Sequence, residues 1–428
     1  MKVLITSKVS KIQGKIKVPG DKSISHRAIM LASISEGKSV IDGFLFGEDC
    51  LSTVSCFRKL GISININEGQ IEVEGKGLYG LSEPEDILDA GNSGTTMRLM
   101  TGILAGQSFL SIITGDDSLR KRPMERIALP LRKMGASING RKGGKLAPVV
   151  IEGKNLEGIE YILPVSSAQI KSAVLLAGLY ADGETTVEED VQSRDHTEKM
   201  LEFFGAKITK DNNRVTVSPS VLKAQNITVP GDISSAAFFM AAAAAIPGSY
   251  LIIEGVGINQ TRSGIIDVLT EMGAKIQVEN IKHSGGEEIG DIHIEGVNLK
   301  GVNISKAIIP RLIDEIPVLA VIAAKAEGIT RITGAEELKV KETNRISTMV
   351  SEMKKVGIEV NELPDGMEII GGSKINGGTV ESHGDHRVAM AMAICGLLAD
   401  EPIKILGNEC IDISFPDFEN ILKSVCSY

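Results

Sequence analysis

Cations and hydroxyl groups gather at the point where the chain is predicted to begin an apolar helix. Residues 18–33 read VPGDKSISHRAIMLAS, so a Pro-Gly turn is followed by Lys22, Ser23, His26 and Arg27. Two cations at a helix N-terminus oppose the helix dipole, and a bound anion would offset that cost. Ser23 and Arg27 lie four residues apart and are predicted to share an outward face of the helix. The stretch predicts an anion-binding site, with ordinary capping and a solvated face as the alternative.

Similar polar turns precede helices elsewhere in the N-terminal half of the chain. They are AGNSGTTMRLM (90–100) with Asn92, Thr95 and Arg98, SLRKRPMERI (118–127) with Arg120, Lys121 and Arg122, PVSSAQIKSAVLLAG (164–178) with Ser166, Ser167 and Gln169, and VQSRDHTEKM (191–200) with Ser193 and Arg194. The cations suit anions, whereas the hydroxyl and amide groups suit the hydroxyls of a sugar or carbocycle. In the second stretch, Pro123 is predicted at the first position of a helix. Each turn taken alone is also explained as a helix cap or a solvated loop.

The C-terminal half differs because its polar clusters contain carboxylates. The clusters are RLIDEIPVLA (311–320) with Asp314 and Glu315, LKVKETNRIS (338–347) with Lys341, Glu342 and Arg345, and SHGDHRVAMA (382–391) with Asp385, His386 and Arg387. Lys341 and Arg345 are predicted one turn apart on a helix, where two cations repel each other unless an anion lies near. The carboxylates are candidates for acid and base catalysis, with a surface or salt-bridging role as the alternative.

Composition limits the classes of partner. The net charge is −9 without a dense basic block, which argues against a broad surface for nucleic acid or anionic membrane. The longest apolar run, 236–247, is too short to span a bilayer, and no signal-peptide core is visible, so we expect a cytoplasmic protein. Five cysteines without a CxxC pair indicate neither a disulfide framework nor a zinc site. His383 and His386 form an HxxH, a weak metal signal, and we expect no metal ion.

Internal repetition is the strongest organisational signal in the sequence. Six apolar helices, each followed by a turn and a strand, are predicted at HRAIMLASISEGKSVIDG, TTMRLMTGILAGQSFLSIITG, IKSAVLLAGLYADGETTVEE, AAFFMAAAAAIPGSYLIIEG, PVLAVIAAKAEGITRITG and HRVAMAMAICGLLADEPIKILG. Five of them are followed by a helix end that runs into an alternating strand, at KLGISI, KMGASI, FFGAKI, EMGAKI and KVGIEV. The glycine in each of these five segments is predicted to be a left-handed helix C-cap.

The repeats fall into two halves. VPGDKSISHRA at 18–28 is echoed by VPGDISSAAFF at 229–239, which leaves three units on each side. The sixth unit reaches the chain end before its strands, and residues 1–18 could supply them. We therefore predict one domain at 19–229 and a second at 230–428 completed by 1–18. Helices that are apolar nearly all round should lie inside each domain, with sheets outside and a ligand cleft between the domains.

The motifs, in this order, resemble the 5-enolpyruvylshikimate-3-phosphate synthase family, the enolpyruvyl transferases of the shikimate pathway. The resemblance rests on GDKSISHR, GNSGTTMRLM, KRPM, SSAQIKSAVLLAGL, SRDHTEKML, GDISSAAFF, KVKETNRI and GDHRVAMA, and it spans essentially the whole chain. It implies an α/β fold, a two-domain inside-out α/β barrel of six βαβαββ units, three per domain. It also implies transfer of the enolpyruvyl group of phosphoenolpyruvate to the 5-hydroxyl of shikimate 3-phosphate, without metal or organic cofactor.

The resemblance further implies roles for individual residues. Shikimate 3-phosphate would contact Lys22, Ser23, Arg27, Ser167, Ala168, Gln169, Arg194, Asp314 and Lys341. Phosphoenolpyruvate would contact Lys22, Asn92, Gly94, Arg122, Gln169, Arg345, His386 and Arg387. Asp314 would take the proton of the 5-hydroxyl, and Glu342, assisted by Lys341, would protonate the methylene carbon, with Lys22 also in the catalytic set. His26 is left without a role.

Departures and rivals qualify the resemblance. Much of the family has a Lys where this chain has Ile413, so one expected phosphoenolpyruvate contact is missing. The related UDP-N-acetylglucosamine enolpyruvyl transferases usually carry Lys-Asn at Lys22-Ser23 and a Cys in the loop matching 114–124, which contains none here. A non-catalytic anion-binding relative is a further alternative, which the presence of Asp314, Lys341 and Glu342 disfavours. We expect a monomer that binds neither nucleic acid nor membrane.

Overall fold

The computed structural model describes residues 2–428 and is a mixture of helices and strands along that whole length. The α-helices are α1 (Lys22–Ser33), α2 (Glu48–Lys59), α3 (Gly94–Ala105), α4 (Glu125–Lys133), α5 (Ala168–Gly178), α6 (His196–Phe203), α7 (Ile233–Ala245), α8 (Gly264–Glu271), α9 (Ile309–Leu312), α10 (Ile316–Ala323), α11 (Arg345–Lys355), α12 (His386–Leu398) and α13 (Phe418–Val425). Short 3-10 helices span Leu119–Lys121, Glu336–Val340 and Asn408–Ile413.

The strands are short, and most belong to small sheets. They are β1 (Val3–Thr6), β2 (Lys11–Lys17), β3 (Glu36–Asp42), β4 (Ser63–Asn67), β5 (Gln70–Lys76), β6 (Leu88–Asp89), β7 (Leu110–Thr114), β8 (Ser137–Gly140), β9 (Val149–Glu152), β10 (Leu156–Glu157), β11 (Glu160–Ile162), β12 (Ala181–Asp182), β13 (Thr185–Glu188), β14 (Lys207–Asp211), β15 (Arg214–Ser218), β16 (Ile227–Thr228), β17 (Tyr250–Gly257), β18 (Lys275–Ser284), β19 (Glu287–Glu295), β20 (Asn303–Ile304), β21 (Ile329–Ile332), β22 (Val360–Leu363), β23 (Gly366–Ile370), β24 (Gly378–Glu381), β25 (Ile403–Leu406) and β26 (Cys426–Ser427).

The chain divides into two compact units. The N-terminal unit comprises Gly20–Val229 and His283–Glu287, and the C-terminal unit comprises the chain up to Pro19, Pro230–Lys282 and Glu288–Tyr428. The segment His283–Glu287, predicted in the second domain, thus belongs to the first unit. The reason is a buried contact, because His196 donates through Nδ1 to Glu287 Oε1 at 2.7 Å and Glu287 is 1% exposed.

The N-terminal unit repeats one arrangement three times. Its four-stranded sheets have the orders β16-β3-β5-β4, β6-β7-β9-β8 and β11-β13-β15-β14. In each sheet the first pair is parallel and the remaining pairs are antiparallel. Helices α1, α3 and α5 are buried nearly all round, whereas α2, α4 and α6 keep polar faces. The apolar helices therefore form the interior of this unit, because only burial satisfies an apolar surface on every side.

The C-terminal unit follows the same plan with α7, α10 and α12 inside. Its larger sheets have the orders β20-β21-β23-β22, β18-β19-β17-β2-β26 and β1-β25-β24. The start and end of the chain meet here, since β1 pairs with β25 and β2 pairs with β26. The sequence predicts that residues 1–18 complete the sixth repeat. In the structure, β1 joins the sheet of the sixth repeat, and β2 instead joins the sheet of the fourth, parallel to β17.

The predicted glycine C-caps are confirmed. Gly61, Gly135, Gly205, Gly273 and Gly357 each follow the end of a helix by two residues and have φ of 85°, 100°, 92°, 99° and 84°. An L-amino acid with a Cβ is strained at such angles, so glycine allows each helix to stop and the chain to turn into the next strand.

Candidate active site

The start of α1 explains why VPGD occurs twice in the sequence. Asp21 is the N-cap of α1, and its Oδ1 accepts a hydrogen bond from the backbone of Ile24 at 2.9 Å. Asp232 caps α7 in the same way and accepts from the backbone of Ser234 at 2.8 Å. Each aspartate satisfies an otherwise unpaired backbone donor of a buried helix, so the echo marks two equivalent helix starts.

Arg27 is a buried cation whose hydrogen bonds go to neutral acceptors, with the carboxylates of Glu198, Asp21 and Glu287 farther away. Its guanidinium is 4% exposed and donates to Thr197 Oγ1 at 2.6 Å, to Ser172 Oγ at 2.9 Å and to the carbonyl oxygen of Ser23 at 2.9 Å. No ion pair of Arg27 is found among residues 2–428, and burial lowers its pKa to about 10. Of the predicted outward face, Arg27 is therefore buried while Ser23 is partly exposed, and an anion at this site would compensate the charge of Arg27.

Lys22 and His26 lie on the neighbouring part of α1 but differ in their surroundings. Lys22 is ion-paired with Asp49 and keeps 20% of its side chain exposed. His26 is fully buried, and its Nδ1 lies 2.7 Å from Thr53 Oγ1, which in turn contacts Thr96 Oγ1 at 2.7 Å. Burial, with Lys22 and Arg27 nearby, holds the pKa of His26 well below 6.5. Through these contacts His26 joins α1 to α2 and α3.

The turn before α3 brings together three of the residues predicted to bind phosphoenolpyruvate in this unit. Asn92 accepts through Oδ1 from Arg122 Nη2 at 2.9 Å and donates to Asp116 at 2.6 Å. Gly94 is the first residue of α3, and a methyl group there would lie 3.0 Å from Arg98 Nη1 and 3.6 Å from Arg122 Nη1. The absence of a side chain at Gly94 therefore leaves room beside two guanidinium groups.

Gln169 connects this turn to the start of α5. Its Oε1 accepts from Arg98 Nη1 at 2.5 Å, and its Nε2 donates to Thr95 Oγ1 at 3.1 Å. The N-cap Ser167, together with Ala168 and Gln169, remains partly exposed. The backbone N–H groups at the start of α5 can bind a ligand that carries hydroxyl or anionic groups.

Two details of the N-terminal unit extend or correct the sequence prediction. Arg194 is partly exposed just before α6, and its charge contributes to the lowered pKa of Arg27, after burial as the main cause. Pro123 does not begin a helix, because α4 starts only at Glu125 with Met124 as its N-cap. The 3-10 helix Leu119–Lys121 ends before it, so Arg122 lies in an extended connection.

In the C-terminal unit, cations converge on Asp314. Its Oδ1 lies 3.2 Å from Arg345 Nη1, 3.7 Å from Lys341 Nζ and 3.8 Å from Arg387 Nε. Arg387 also donates through Nη1 to the carbonyl oxygen of Asp314 at 3.1 Å. Asp314 itself is 7% exposed, in the link between α9 and α10. These contacts hold the Asp314 carboxylate in one orientation.

Arg345 holds three carboxylates at once. It is 2% exposed and donates to Asp385 through Nε at 2.8 Å and through Nη2 at 3.2 Å, to Asp314 through Nη1, and to Glu342 through Nη2. Burial acts to lower the pKa of Arg345, but the carboxylates, Asp385 foremost, outweigh burial and raise it. Burial acts to raise the pKa of Asp385, but Arg345 outweighs it and the pKa is lowered.

The predicted helical pair of Lys341 and Arg345 is wrong. Lys341 follows the 3-10 helix Glu336–Val340, and α11 begins only at Arg345, with Asn344 as N-cap. The two cations are close because both approach Asp314, so their spacing in the sequence carries no separate evidence for an anion.

The remaining sequence predictions in this unit lie at the start of α12 and near the C-terminus. His386 is buried, whereas Arg387 is the one residue of α12 that is partly exposed. His383 does not pair with His386 in a metal-like arrangement, because its Nε2 contacts Glu352 Oε1 at 2.9 Å. Ile413, at the position of the missing Lys, packs against the apolar core.

Sequence reasoning missed one cluster behind Asp314. Arg262 is 3% exposed, donates to Ser234 Oγ at 2.7 Å and approaches Asp314 Oδ2 at 3.9 Å. Ser234 in turn donates to the buried Glu315. The only available signal was the VPGD echo, which places Ser234 at the same position of its helix as Ser23. No motif in the sequence around Arg262 indicated that this residue lies near the candidate site.

The described part of the chain contains neither a metal-binding cluster nor a helix that could span a membrane. Residues 2–428 contain no group of three or more His, Cys, Asp or Glu side chains that could hold a metal ion. Within the same residues, no helix has both the length and the hydropathy needed to cross a membrane.

Comparison with known proteins gives a consistent family. The family model described as EPSP synthase (3-phosphoshikimate 1-carboxyvinyltransferase) matches residues 6–422. A 3-phosphoshikimate 1-carboxyvinyltransferase of Alkaliphilus metalliredigens is 68% identical over 423 residues, which cover 99% of this chain and 100% of that protein. The protein of the same name from Bacillus subtilis is 52% identical over 413 residues, or 96% of each chain.

Solved structures confirm the predicted fold class. An EPSP synthase from Acinetobacter baumannii is 47% identical and aligns with a TM-score of 0.89 over 99% of this chain and 98% of its own. The enolpyruvyl transferase NikO from Streptomyces tendae is only 16% identical, yet has a TM-score of 0.81 over 99% and 97% of the chains, which supports the fold alone. The chain therefore belongs to the EPSP synthase (3-phosphoshikimate 1-carboxyvinyltransferase) family of transferases.

Proposed function

We propose that this chain transfers the enolpyruvyl group of phosphoenolpyruvate to the 5-hydroxyl of shikimate 3-phosphate and releases phosphate. Relatives at 52 to 68% identity carry the name of this activity, which disfavours UDP-N-acetylglucosamine as the acceptor. The observation that carries the proposal is the buried Arg27 guanidinium. It has hydroxyl and carbonyl acceptors but no ion pair among residues 2–428, and it would be compensated by a phosphorylated ligand.

The proposed contacts to shikimate 3-phosphate follow the starts of the helices. In the N-terminal unit they are Lys22, Ser23, Arg27, Ser167, Ala168, Gln169 and Arg194. Arg27 and Arg194 supply positive charge, and the hydroxyl of Ser167 and the amide of Gln169 supply neutral hydrogen-bonding groups. Asp314 and Lys341 of the C-terminal unit complete the proposed set.

The proposed contacts to phosphoenolpyruvate are mainly cationic. They are Lys22, Asn92, Gly94, Arg122, Gln169, Arg345, His386 and Arg387. The room beside Gly94 and the orientation of Arg122 by Asn92 favour a small anion at the start of α3. Cations fixed in this way would stabilise the charge that develops on the phosphate and carboxylate as the reaction proceeds.

The chemistry requires a base and an acid in turn. The oxygen of the 5-hydroxyl attacks C2 of phosphoenolpyruvate while Asp314 accepts its proton, and Glu342, assisted by Lys341, delivers a proton to C3. The resulting tetrahedral intermediate then loses phosphate from C2, and the phosphate takes up the proton held by Asp314. Glu342 recovers a proton from C3, which restores the double bond and returns both carboxyl groups to their starting states. Arg345 contacts both carboxylates, so a change of charge on one alters the proton affinity of the other.

Four further points belong to the proposal. The proposed reaction assigns residues of both units to the same pair of substrates. One chain supplies every proposed contact, and we therefore propose a monomer. A cytoplasmic location accords with the small phosphorylated substrates, and no contact with nucleic acid is proposed.

Phosphate release tests the proposed function. Phosphoenolpyruvate should release phosphate with shikimate 3-phosphate and not with UDP-N-acetylglucosamine. Arg27→Lys should raise the KM for shikimate 3-phosphate at least about tenfold, because an ammonium cannot reproduce the three guanidinium hydrogen bonds. Lys154→Ala, which removes an exposed lysine, is the control. Release with the nucleotide sugar alone would reassign the substrate, and no release with either acceptor would exclude the activity.

A further inference from the structure

A lysine with no role in the proposed chemistry is buried in the first turn of α5. Lys171 is 1% exposed, and its Nζ lies 2.6 Å from Glu189 Oε2 and 2.7 Å from Glu198 Oε1. Both glutamates are also buried, at 4% and 1% exposed. We refer to Lys171, Glu189 and Glu198 as the Lys171 triad. It joins the start of α5 to α6 and to the segment that links β13 with α6.

The triad also fixes the residue directly before Arg194. Glu189 Oε2 accepts from the backbone nitrogen of Ser193 at 3.1 Å, and Glu189 Oε1 accepts from the hydroxyl of Ser193. Lys171 Nζ approaches the carbonyl oxygen of the same serine at 3.4 Å. The backbone and side chain of Ser193 are thus held on both sides, which restricts where Arg194 can point.

A second set of contacts runs beside the triad. Ser172 follows Lys171 on α5, Thr197 precedes Glu198 on α6, and the two hydroxyls lie 2.6 Å apart. Both contact the guanidinium of Arg27, at 2.9 Å from Ser172 Oγ and 2.6 Å from Thr197 Oγ1. The same two helices therefore carry Lys171 and Glu198 at one position and the Arg27 contacts at the adjacent one. A shift of α6 against α5 would disturb Arg27 and Arg194 together.

Burying three charges is expensive. Burial acts to lower the pKa of Lys171, but Glu198 and Glu189 outweigh it and raise the pKa. Burial raises the pKa of Glu198, and Lys171 offsets this only in part. Well-packed apolar side chains can hold such a place at least as stably as an ion cluster, whereas directional hydrogen bonds to Ser193 need polar groups. The Lys171 triad is therefore better explained by a role in positioning the segment around Ser193 than by a contribution to stability.

We propose that the Lys171 triad is a positioning element for shikimate 3-phosphate. It sets the separation and orientation of Arg194 relative to Arg27 and the start of α5, and it does not touch the substrate. The proposal rests on the assignment of Arg194 and Arg27 to shikimate 3-phosphate. A positioning element of this kind acts on binding of one substrate, so it should alter the KM for shikimate 3-phosphate and leave that for phosphoenolpyruvate unchanged.

The main test variant is Lys171→Met/Glu198→Gln. It removes the bridging ammonium and keeps the buried charge at −1, since one lysine and two glutamates become one glutamate. Glu189→Asp is a second variant that retains every charge and withdraws the carboxylate from Ser193. Glu202→Gln is the matched control, because Glu202 lies one turn after Glu198 on α6 but is exposed and pairs with Lys210 at 3.0 Å.

Initial-rate kinetics and calorimetric titration of shikimate 3-phosphate give the readout, with circular dichroism to select folded variants. Both triad variants should raise the KM and Kd for shikimate 3-phosphate about tenfold, with kcat and the KM for phosphoenolpyruvate within about twofold of the parent. Glu202→Gln should change none of these. A folded triad variant with parental affinity for shikimate 3-phosphate overturns the proposal, and so does an equal rise in both KM values.

Arg194→Ala separates this proposal from the site assignment on which it rests. A loss of affinity for shikimate 3-phosphate in Arg194→Ala, together with parental affinity in the triad variants, refutes positioning and leaves the site assignment standing. Parental affinity in Arg194→Ala refutes the assignment itself, whatever the triad variants do. A loss in both supports the positioning role.

Discussion

Replacement of Arg345 by Met should destabilise the enzyme in a manner that depends on pH. Asp385 is fully buried and receives two hydrogen bonds from Arg345, at 2.8 Å and 3.2 Å. In Arg345→Met the carboxylate keeps only its neutral donors, namely the hydroxyl of Thr343 at 3.1 Å and the backbone nitrogen of Arg387 at 2.9 Å. An ionised carboxylate without its counterion is then left in the interior of the C-terminal unit.

The magnitude follows from the cost of breaking a buried ion pair. Removal of one partner costs about 3 to 5 kcal/mol at neutral pH. For a unit of this size, that corresponds to a fall of about 6 to 20 °C in Tm. Arg331→Met is the matched control, because Arg331 also makes two contacts to one carboxylate, that of Glu368, but is 57% exposed. Its loss should cost at most about 1 kcal/mol.

The pH dependence gives the sharper test. In the parent, the pKa of Asp385 lies below its ordinary value, so this carboxylate stabilises the fold above the unfolded pKa of about 3.9 and the contribution is lost as the pH falls through the folded value. In Arg345→Met, burial is no longer outweighed and the pKa should rise. The folded state then binds a proton that the unfolded state does not, so acid should restore stability by up to about 1.4 kcal/mol per pH unit.

Urea unfolding followed by circular dichroism at pH 7.5 and pH 5.0 measures both effects. The deficit of Arg345→Met relative to the parent should be largest at pH 7.5 and smaller at pH 5.0. A deficit below about 1 kcal/mol at pH 7.5 would contradict the assignment of Arg345 as the counterion of Asp385. A deficit that stays constant or grows on acidification would contradict the reasoning about the proton.

Other predictions concern acid sensitivity, the start of α3 and the base. His26→Asn should remove part of the loss of stability on acidification, because the unfolded chain takes up a proton at this histidine below pH 6.5 and the buried His26 does not. The free energies of unfolding from urea titrations at pH 6.5 and pH 5.0 should differ by about 2 kcal/mol less in the variant than in the parent. An unchanged difference would show that His26 titrates normally. Gly94→Ala should remain folded and raise the KM for phosphoenolpyruvate about tenfold, because the methyl group meets Arg98 Nη1 at 3.0 Å; parental kinetics would remove Gly94 from the site. Asp314→Asn should lower single-turnover rates by about 10² to 10⁴ while calorimetry still detects binding of shikimate 3-phosphate, and turnover at the parental rate would refute its role as base.

The sequence was most informative where structure is decided locally. The five glycine caps depend on residues within one helical turn, so their signals lie side by side in the chain. The six interior helices could also be recognised in the sequence. A helix that is apolar on every side must be buried in the interior of a folded protein. Repetition of these signals predicted the architecture of three similar units on each side.

Contacts between distant residues could not be predicted in the same way. Arg345 reaches Asp314 and Asp385, 31 and 40 positions away, and Arg27 reaches Thr197, 170 positions away. Such pairs are set by how helices pack, and spacing along one helix says nothing about them. For this reason no signal in the sequence indicated Arg262 or Lys171. The error for Lys341 and Arg345 is instead local, because α11 begins only at Arg345. The resemblance to a family supplied the candidate residues, and the packing supplied their partners.

The pairing of β1 with β25 has a consequence for the order in which the protein is built during synthesis. Thr6 pairs with Ile403, so β1 leaves the ribosome about 400 residues before its partner exists. At roughly 5 to 20 residues per second, that delay is on the order of 20 to 80 s. The segment 20–229 can complete its own three sheets within this time, and β2 can pair with β17, whereas β1 must wait for β25. The pairing of β1 is therefore among the last of the strand pairings that can form during synthesis.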